Sequence, residues 1–155
     1  MRRLISSLVV MMCGGATAAM AQNENSVIIR QLDGGHVSIK QSGENNSVLI
    51  DQGMGESQQD YNRAIMNDAK ISQFGRANNA IVNQTGKGIN NSSVTQEGES
   101  NSASQTQTGE KNTMKFKQKG KRNKTSHKQN GKDNMLIKEQ NNDVLIERSS
   151  SDNRK

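Results

Sequence analysis

The sequence predicts an all-β fold, a β-solenoid of about five to six strand-turn-strand coils with roughly 22 residues per coil. Three observations predict it. A short frame of residues repeats along nearly the whole chain, small or apolar side chains alternate with polar ones inside that frame, and the 155 residues include no Pro. Hydrophobic residues make up only 30% of the chain and aromatic residues 2%, so we expect stacked backbone and amide hydrogen bonds to replace much of a globular core.

The repeat frame consists of Asn, five residues, Gln, one residue and Gly, and most copies lie 11 residues apart. Its anchors are Gln31, Gln41, Gln52, Gln73, Gln84, Gln96, Gln107, Gln118, Gln129 and Gln140. An Asn stands six places before nine of them, at Asn25, Asn46, Asn67, Asn78, Asn90, Asn101, Asn112, Asn123 and Asn134. A disordered polar tract is the alternative for a chain rich in Asn and Gln, but disorder requires no fixed phase, and we therefore favour the repeat fold.

Side chains inside the frame alternate between two faces, as in a strand. In residues 112–119, Met114 and Phe116 point one way, whereas Lys115 and Lys117 point the other. A Gly follows seven of the anchors by two places, and glycine accommodates the tight turn expected there. One unit is thus a strand and a turn, and two units close one coil.

Stacked coils should place Asn over Asn and Gln over Gln at roughly 4.7–4.8 Å. A carboxamide both donates and accepts, so a column of identical amides can bond along its own length. We predict an inward amide ladder made of the ten anchor glutamines together with Asn46, Asn67, Asn78, Asn90, Asn101, Asn112 and Asn123. Ladder edges should remain open at both ends of the stack.

The chain divides into three segments. Residues 1–21 have the pattern of a secretory signal peptide: two arginines, an apolar run too short to span a bilayer, and Ala-Met-Ala before Gln22. Residues 22–148 form the predicted solenoid and residues 149–155 a polar tail. The repeat at 56–66 is degenerate, so we expect a looser or bulged coil there. The single cysteine, Cys13, lies in the signal peptide, which leaves the mature chain without a thiol.

The C-terminal coils are strongly basic. Residues 22–109 carry six bases and nine acids, a net charge of −3, whereas residues 110–155 carry thirteen and six, a net charge of +7. The predicted basic face consists of Lys115, Lys117, Lys119, Lys121, Arg122, Lys124 and Lys128. It is either a solvated face that protects a strand edge or a contact for an anionic surface or polyanion. Sequence-specific nucleic-acid binding is disfavoured because the few aromatic residues offer no stacking platform.

The residues that could support catalysis or metal binding are scattered. His36 and His127 are the only histidines and lie far apart in the sequence, and the acids occupy isolated outward positions. The glycine pairs lack the following Lys-Ser/Thr of a phosphate loop. We therefore predict no enzymatic activity, no catalytic residues, no cofactor and no metal.

The frame resembles the curlin repeat, Ser/Asn-x5-Gln-x-Gly-x2-Asn-x-Ala-x3-Gln, and residues 73–84 (QFGRANNAIVNQ) carry a good part of it. The similarity extends over roughly residues 25–148. Curlins are secreted bacterial subunits that form functional amyloid fibres on the cell surface. The resemblance implies a solenoid that stacks end to end, other curlin subunits as partners, and export through a dedicated outer-membrane pore with accessory proteins.

Within that resemblance, the chain is more similar to a minor, nucleating subunit than to a major one. The basic C-terminal coils, a last coil without its Gly, and Arg148 in the place of a Gln indicate this. The expected location is an extracellular, cell-surface fibre of a Gram-negative bacterium, with a role in adhesion or biofilm matrix. The alternatives are a divergent major subunit and a monomeric solenoid that binds polyanions through its basic face.

Overall fold

A computed structural model describes residues 7–12, 15–20, 24–31, 35–53, 66–86, 88–142 and 144–150, and the described segments contain strands but no helix. The strands are β1 (Ser7–Met12), β2 (Gly15–Met20), β3 (Ser26–Gln31), β4 (Gly35–Glu44), β5 (Ser47–Gly53), β6 (Asn67–Arg76), β7 (Asn79–Thr85), β8 (Asn91–Glu99), β9 (Ser102–Glu110), β10 (Thr113–Lys121), β11 (Lys124–Lys132), β12 (Met135–Asn141) and β13 (Val144–Ser150).

Successive strands alternate between two sheets. Sheet A has the order β1-β3-β5-β7-β9-β11, and sheet B has the order β13-β12-β10-β8-β6-β4-β2. Neighbours are parallel everywhere except between β12 and β13. Because the chain returns to each sheet one strand further along, it winds as a solenoid, with four turns between β3 and β11 and about 23 residues per turn. The predicted all-β solenoid is confirmed.

The register places each anchor glutamine on another one. In sheet A, Gln31 pairs with Gln52, and the column continues through Gln84, Gln107 and Gln129. Sheet B contains the other five anchors in the same way. The steps from Gln52 to Gln84 and from Gln41 to Gln73 are each 32 residues, longer than the other steps, because the degenerate repeat at 56–66 lies within both. The looser coil expected there falls, apart from Met66, outside the described residues.

The interior changes in character along the stack. In the coil formed by β3 and β4, the buried apolar side chains are all β-branched, namely Val27, Ile29, Val37 and Ile39. The last parallel coil instead has Thr125, His127 and Lys138 on the inward side of the strands, beside buried Leu136. Apolar burial therefore stabilises the N-terminal coils most, and polar groups fill the C-terminal end.

Each turn uses two residues with positive φ. The frame glycine supplies the first, for example Gly75 at 111°, and the residue before the frame Asn supplies the second, for example Ala77 at 54°. The second position is occupied in the described turns by residues with side chains, including Ser100 and Arg122, except in the turn between β7 and β8, where Gly88 has the second positive φ. A left-handed conformation costs an L-residue about 1–2 kcal/mol, so the turns contain strain that the ladder must offset.

The N-terminal end is extended by two strands. β1 pairs with β3 and β2 with β4, both in parallel. These strands lie within residues 1–21, the predicted signal peptide. Its removal from the mature chain stays a prediction.

At the C-terminal end of sheet B, an antiparallel strand covers the ladder edge that the sequence predicts to stay open. β13 turns back and runs antiparallel to β12, so that Arg148 pairs with Ile137 instead of extending an amide column. Only two residues, 142 and 143, connect the strands, and a link that short joins antiparallel strands but cannot make a crossover to a parallel one. The outermost strand of sheet B at this end is therefore the antiparallel β13, whereas β11 is the last described strand of sheet A and has no further neighbour.

Candidate functional site

The anchor glutamines form two directional columns. In sheet B the Nε2 of Gln41 donates to the Oε1 of Gln73 at 2.8 Å, and the same bond recurs at 2.8 Å from Gln73 to Gln96 and from Gln96 to Gln118. In sheet A the series runs from Gln52 to Gln84, Gln107 and Gln129 at 2.8, 2.9 and 3.3 Å. Every one of these donors points to the following coil, so each column has a donor direction that runs toward the C terminus.

The glutamine side chains also donate hydrogen bonds from one sheet to the backbone of the other. The Nε2 of Gln84 lies 2.9 Å from the backbone oxygen of Asn90 and 3.1 Å from that of Asp68. Gln96 similarly donates to the backbone oxygen of Asn79 at 2.9 Å. Because a buried amide without partners would cost about 1–3 kcal/mol, these bonds specify the register as well as stabilise it.

The frame asparagines form two further columns of opposite direction. The Nδ2 of Asn101 donates to the Oδ1 of Asn78 in the preceding coil at 3.1 Å, and Asn123 donates to Asn101 at 2.9 Å. The backbone N–H groups of the same residues bond to the same oxygens. Asn101 further caps the turn, bonding the carbonyl oxygens of Glu97 at 3.2 Å and Gly120 at 3.0 Å.

The structure brings the predicted inward amides together. Nine of the ten glutamines are buried and Gln140 is half-buried, and the seven predicted asparagines are buried too. Sequence reasoning left out of the ladder two frame asparagines that belong to the same columns: Asn25, whose Oδ1 accepts the N–H of Asn46 at 2.9 Å, and Asn134, whose Nδ2 donates to Asn112 at 2.9 Å. Both residues stand six places before an anchor glutamine, and this position is the sequence feature that identifies them as members of the columns.

A buried polar pair inside the core escaped the sequence analysis. Ser92 Oγ donates to the Oε1 of Gln105, and both side chains are fully buried. The Nε2 of Gln105 lies 3.3 Å from the backbone oxygen of Ser93. The alternation of inward and outward side chains along a strand predicts that both residues point inward. Only the structure shows that their side chains form a hydrogen bond.

Glycine forms a third kind of column. A Cβ added to Gly98 would overlap the carbonyl oxygen of Gly120, and one added to Gly75 would overlap that of Gly98. The series ends at residue 142, where Asn replaces Gly and the Asn142 side chain lies over Gly120. The Oδ1 of Asn142 accepts the N–H of Lys121 at 3.0 Å.

The amide columns end at the N-terminal side in unpaired groups. Among the described residues, Gln31 Nε2 and Oε1, Gln41 Oε1 and Gln52 Oε1 are buried and have no hydrogen-bond partner. Gln31 and Gln41 are each only 2% exposed. Since the columns donate toward the C terminus, their N-terminal ends present carbonyl oxygens that lack a donor.

The seven residues of the predicted basic face lie on two sheets. Lys115 and Lys117 point outward from β10 in sheet B, whereas Lys124 and Lys128 point outward from β11 in sheet A. Arg122 occupies the turn between these strands at positive φ. The structure therefore does not bring the seven together, because consecutive repeats alternate between the sheets.

Two of the seven are engaged in ion pairs with the preceding coil. Lys119 Nζ lies 3.5 Å from a Glu97 oxygen, and Lys121 Nζ lies 3.3 Å from a Glu99 oxygen. Ion pairs of the same kind join Arg76 to Glu44 and Lys132 to Glu110. The acids of the middle coils thus partly neutralise the bases of the next coil.

Because these pairs are exposed, we expect the double change Glu97→Gln and Glu99→Gln to alter the free energy of unfolding by about 1 kcal/mol or less. Screening by water and the side-chain entropy of lysine keep such pairs weak. Urea unfolding at low and high salt measures the change. A loss of several kcal/mol would mean that the ladder of charges stabilises the stack.

The described residues contain no group of three or more His, Cys, Asp or Glu that could hold a metal ion. They also contain no helix of the length and apolarity needed to cross a membrane. Searches of protein families, curated proteins and solved structures found no match to this chain. The most regular feature of the described residues is the set of stacked glutamine, asparagine and glycine columns.

Proposed function

We propose that the protein is a structural subunit of an extracellular cross-β fibre of the curli type, and that it is the minor subunit that nucleates assembly at the cell surface. The observation that carries the proposal is the in-register stacking of identical residues, Gln on Gln, Asn on Asn and Gly on Gly. Each coil presents to the next the same groups that it received from the previous one. A separate chain with the same coil can therefore continue the ladder, which is the basis of cross-β assembly.

The nucleating role is favoured by the difference between the two ends. The N-terminal coil is apolar inside, whereas the last parallel coil has Thr125, His127 and Lys138 on its inward side and belongs to a region of net charge +7. A major subunit needs two equivalent ends to propagate, but a nucleator needs only one. The basic end fits a contact with an anionic cell surface, since opposite charges attract over about 8–10 Å at ordinary salt.

The location and the export route rest on the curlin resemblance and on the predicted signal peptide at residues 1–21. On that basis the partners are other curlin subunits, a curli-type outer-membrane secretion pore and its accessory proteins. Adhesion and biofilm formation follow as the roles of such a fibre. A divergent major subunit is the second candidate within the same class.

A monomeric solenoid that binds polyanions is the candidate from another class. Lys115 and Lys117 on sheet B, and Lys124 and Lys128 on sheet A, are exposed and could contact phosphate or sulfate groups. Their distribution over two sheets divides this charge between two surfaces. The two candidate functions, fibre nucleation and polyanion binding, can be distinguished experimentally. Only a nucleating subunit should template β-structure in another chain.

We expect purified 22–155, added in small amount, to shorten the lag of assembly of a synthetic peptide of residues 24–44, the first coil. The peptide repeats the same inward pattern, so its strands can continue the ladder. Dye fluorescence follows the lag, and fibre diffraction of the product should show the reflection at about 4.7–4.8 Å. A folded 22–155 that leaves the lag unchanged would contradict the proposal.

A further inference from the structure

We infer that the N-terminal edges of β3 and β4, once residues 1–21 are removed, form the surface on which a second polypeptide docks, and that the C-terminal end is closed to the stacking of a parallel coil. The inference rests on the proposed function and names the partner of its templating site. That partner is a separate chain with a parallel strand-turn-strand coil, glutamines at both anchor places and apolar inward side chains.

The chemistry of the docking surface follows from the unpaired amides. The hydrogen-bonded column of sheet B ends at Gln41, whose buried Oε1 has no hydrogen-bond partner among the described residues. In sheet A the bonded series begins at Gln52, and both amide atoms of the neighbouring Gln31 are buried and have no partner in the described part of the chain. Every glutamine bond along the columns donates toward the C terminus. The Oε1 of Gln41 therefore lacks an amide N–H donor, and the amide of Gln31 lacks both a donor and an acceptor. A glutamine of a stacked coil supplies such a donor in the geometry already repeated along the columns.

The strands that lie on this edge in the uncleaved chain do not supply that donor. The register places Met12 beside Gln31 and Met20 beside Gln41. Methionine has no N–H in its side chain and is at most a weak acceptor. β1 and β2 thus pair with the backbone edges of β3 and β4, while the Oε1 atoms of Gln31 and Gln41 have no hydrogen-bond partner within the described segments. Removing residues 1–21 opens the edge to a coil whose glutamines can donate to these oxygens.

The interior of the docking end specifies an apolar partner. The first described coil buries Val27, Ile29, Val37 and Ile39, so the coil laid on it must present apolar side chains of similar size at the four matching places. The last parallel coil of this chain places Thr125, His127 and Lys138 there. A lysine or histidine stacked on an isoleucine is unfavourable, so a second copy is a poor occupant.

Two further features close the C-terminal end. β13 occupies the edge of β12 in the antiparallel direction, where a parallel partner strand would have to pair. Asn142 occupies the next place in the glycine column, and its side chain lies over Gly120, where other coils present only a backbone. A parallel coil cannot stack there without displacing both. The solenoid is therefore a one-ended template.

The experiment compares the ability of four proteins to seed the peptide of residues 24–44. These are 22–155, the variant of 22–155 with Gln31→Met and Gln41→Met, a matched variant with Gln129→Met and Gln140→Met at the opposite end, and uncleaved 1–155. Met matches Gln in length but cannot donate. Circular dichroism and thermal unfolding check that each protein is folded, and Gln140→Met alone replaces the matched variant if the pair unfolds.

We expect 22–155 and the Gln129/Gln140 variant to seed equally. The Gln31/Gln41 variant should seed at least about tenfold less, since each amide bond lost changes a binding equilibrium about two- to tenfold. Uncleaved 1–155 should seed least, because its own strands cover the edge. Loss of seeding in the Gln129/Gln140 variant alone, or equal seeding by 1–155, overturns the inference and leaves the proposed function intact. Failure of all four folded proteins to seed overturns the proposed function as well.

Discussion

Gly98→Ala should lower the free energy of unfolding by about 4 kcal/mol or more, an effect at the extreme of single substitutions. Gly98 has φ of 116°, a conformation open to glycine but strained for alanine by about 1–3 kcal/mol. Its added Cβ would also overlap the carbonyl oxygen of Gly120 and lie 2.9 Å from the carbonyl carbon. Backbone atoms cannot move aside as a flexible side chain can, so the coils must separate.

Separation of these coils would break more than one interaction. The carbonyl oxygen of Gly98 accepts a bond from the Nδ2 of Asn78 at 3.1 Å, and Gly98 itself pairs in register with Gly75 and Gly120. The strain is thus transmitted to the asparagine column as well as to the backbone ladder. This combination explains why the expected loss exceeds that of an ordinary glycine replacement.

Gly88→Ala is the matched control. Gly88 has a similar φ of 110°, but an added Cβ would lie no closer than 3.5 Å to the atoms around it, the side chain of Glu110. We expect this variant to lose only the backbone strain of about 1–3 kcal/mol. Urea unfolding followed by circular dichroism compares the two. Equal losses would show that the glycine column is not a steric requirement of the stack.

The inward residues of the solenoid could be predicted from the sequence because the repeat allows few ways to stack one coil on the next. A buried amide column tolerates only amides in register, so the 11-residue spacing of the glutamines fixed which residues stack. The repeat frame predicts that Gln84 and Gln107 point inward, and both side chains are buried in the structure. The positive φ of Ala77 and Arg122 was not predicted, because neither residue type signals a left-handed conformation and only the place in the frame does.

The surface and the ends were harder to predict. Lysines 115 and 128 lie on different sheets because adjacent repeats alternate between sheets, a consequence of winding that a linear scan for charge overlooks. The alternation of Val144 and Ile146 suits a parallel or an antiparallel strand equally. The direction of β13 depends instead on the two-residue connection after Asn141, where Asn142 stands in the place of the frame glycine.

Asn101→Asp should destabilise the protein by about 3–5 kcal/mol at neutral pH, the cost of a buried charge without a partner. The Nδ2 of Asn101 faces three oxygens, those of Asn78, Glu97 and Gly120, at 3.0 to 3.2 Å. A carboxylate oxygen in its place would turn three attractive contacts into repulsive ones. The Oδ1 would still accept from the backbone and side chain of Asn123, which offsets only part of the loss.

The pH dependence of this variant gives a second test. Burial against three oxygens raises the folded-state pKa of the introduced carboxyl above its unfolded value of about 3.9. The penalty is therefore complete above the folded-state pKa and shrinks as the pH falls through it, because the protonated acid is neutral and can donate to one of the oxygens. Asn91→Asp, at an exposed position of β8, carries the same change of charge without burial. We expect urea unfolding at pH 7 and pH 5 to show a pH-dependent loss for Asn101→Asp and almost none for Asn91→Asp, and equal behaviour of the two would contradict the direction assigned to the asparagine column.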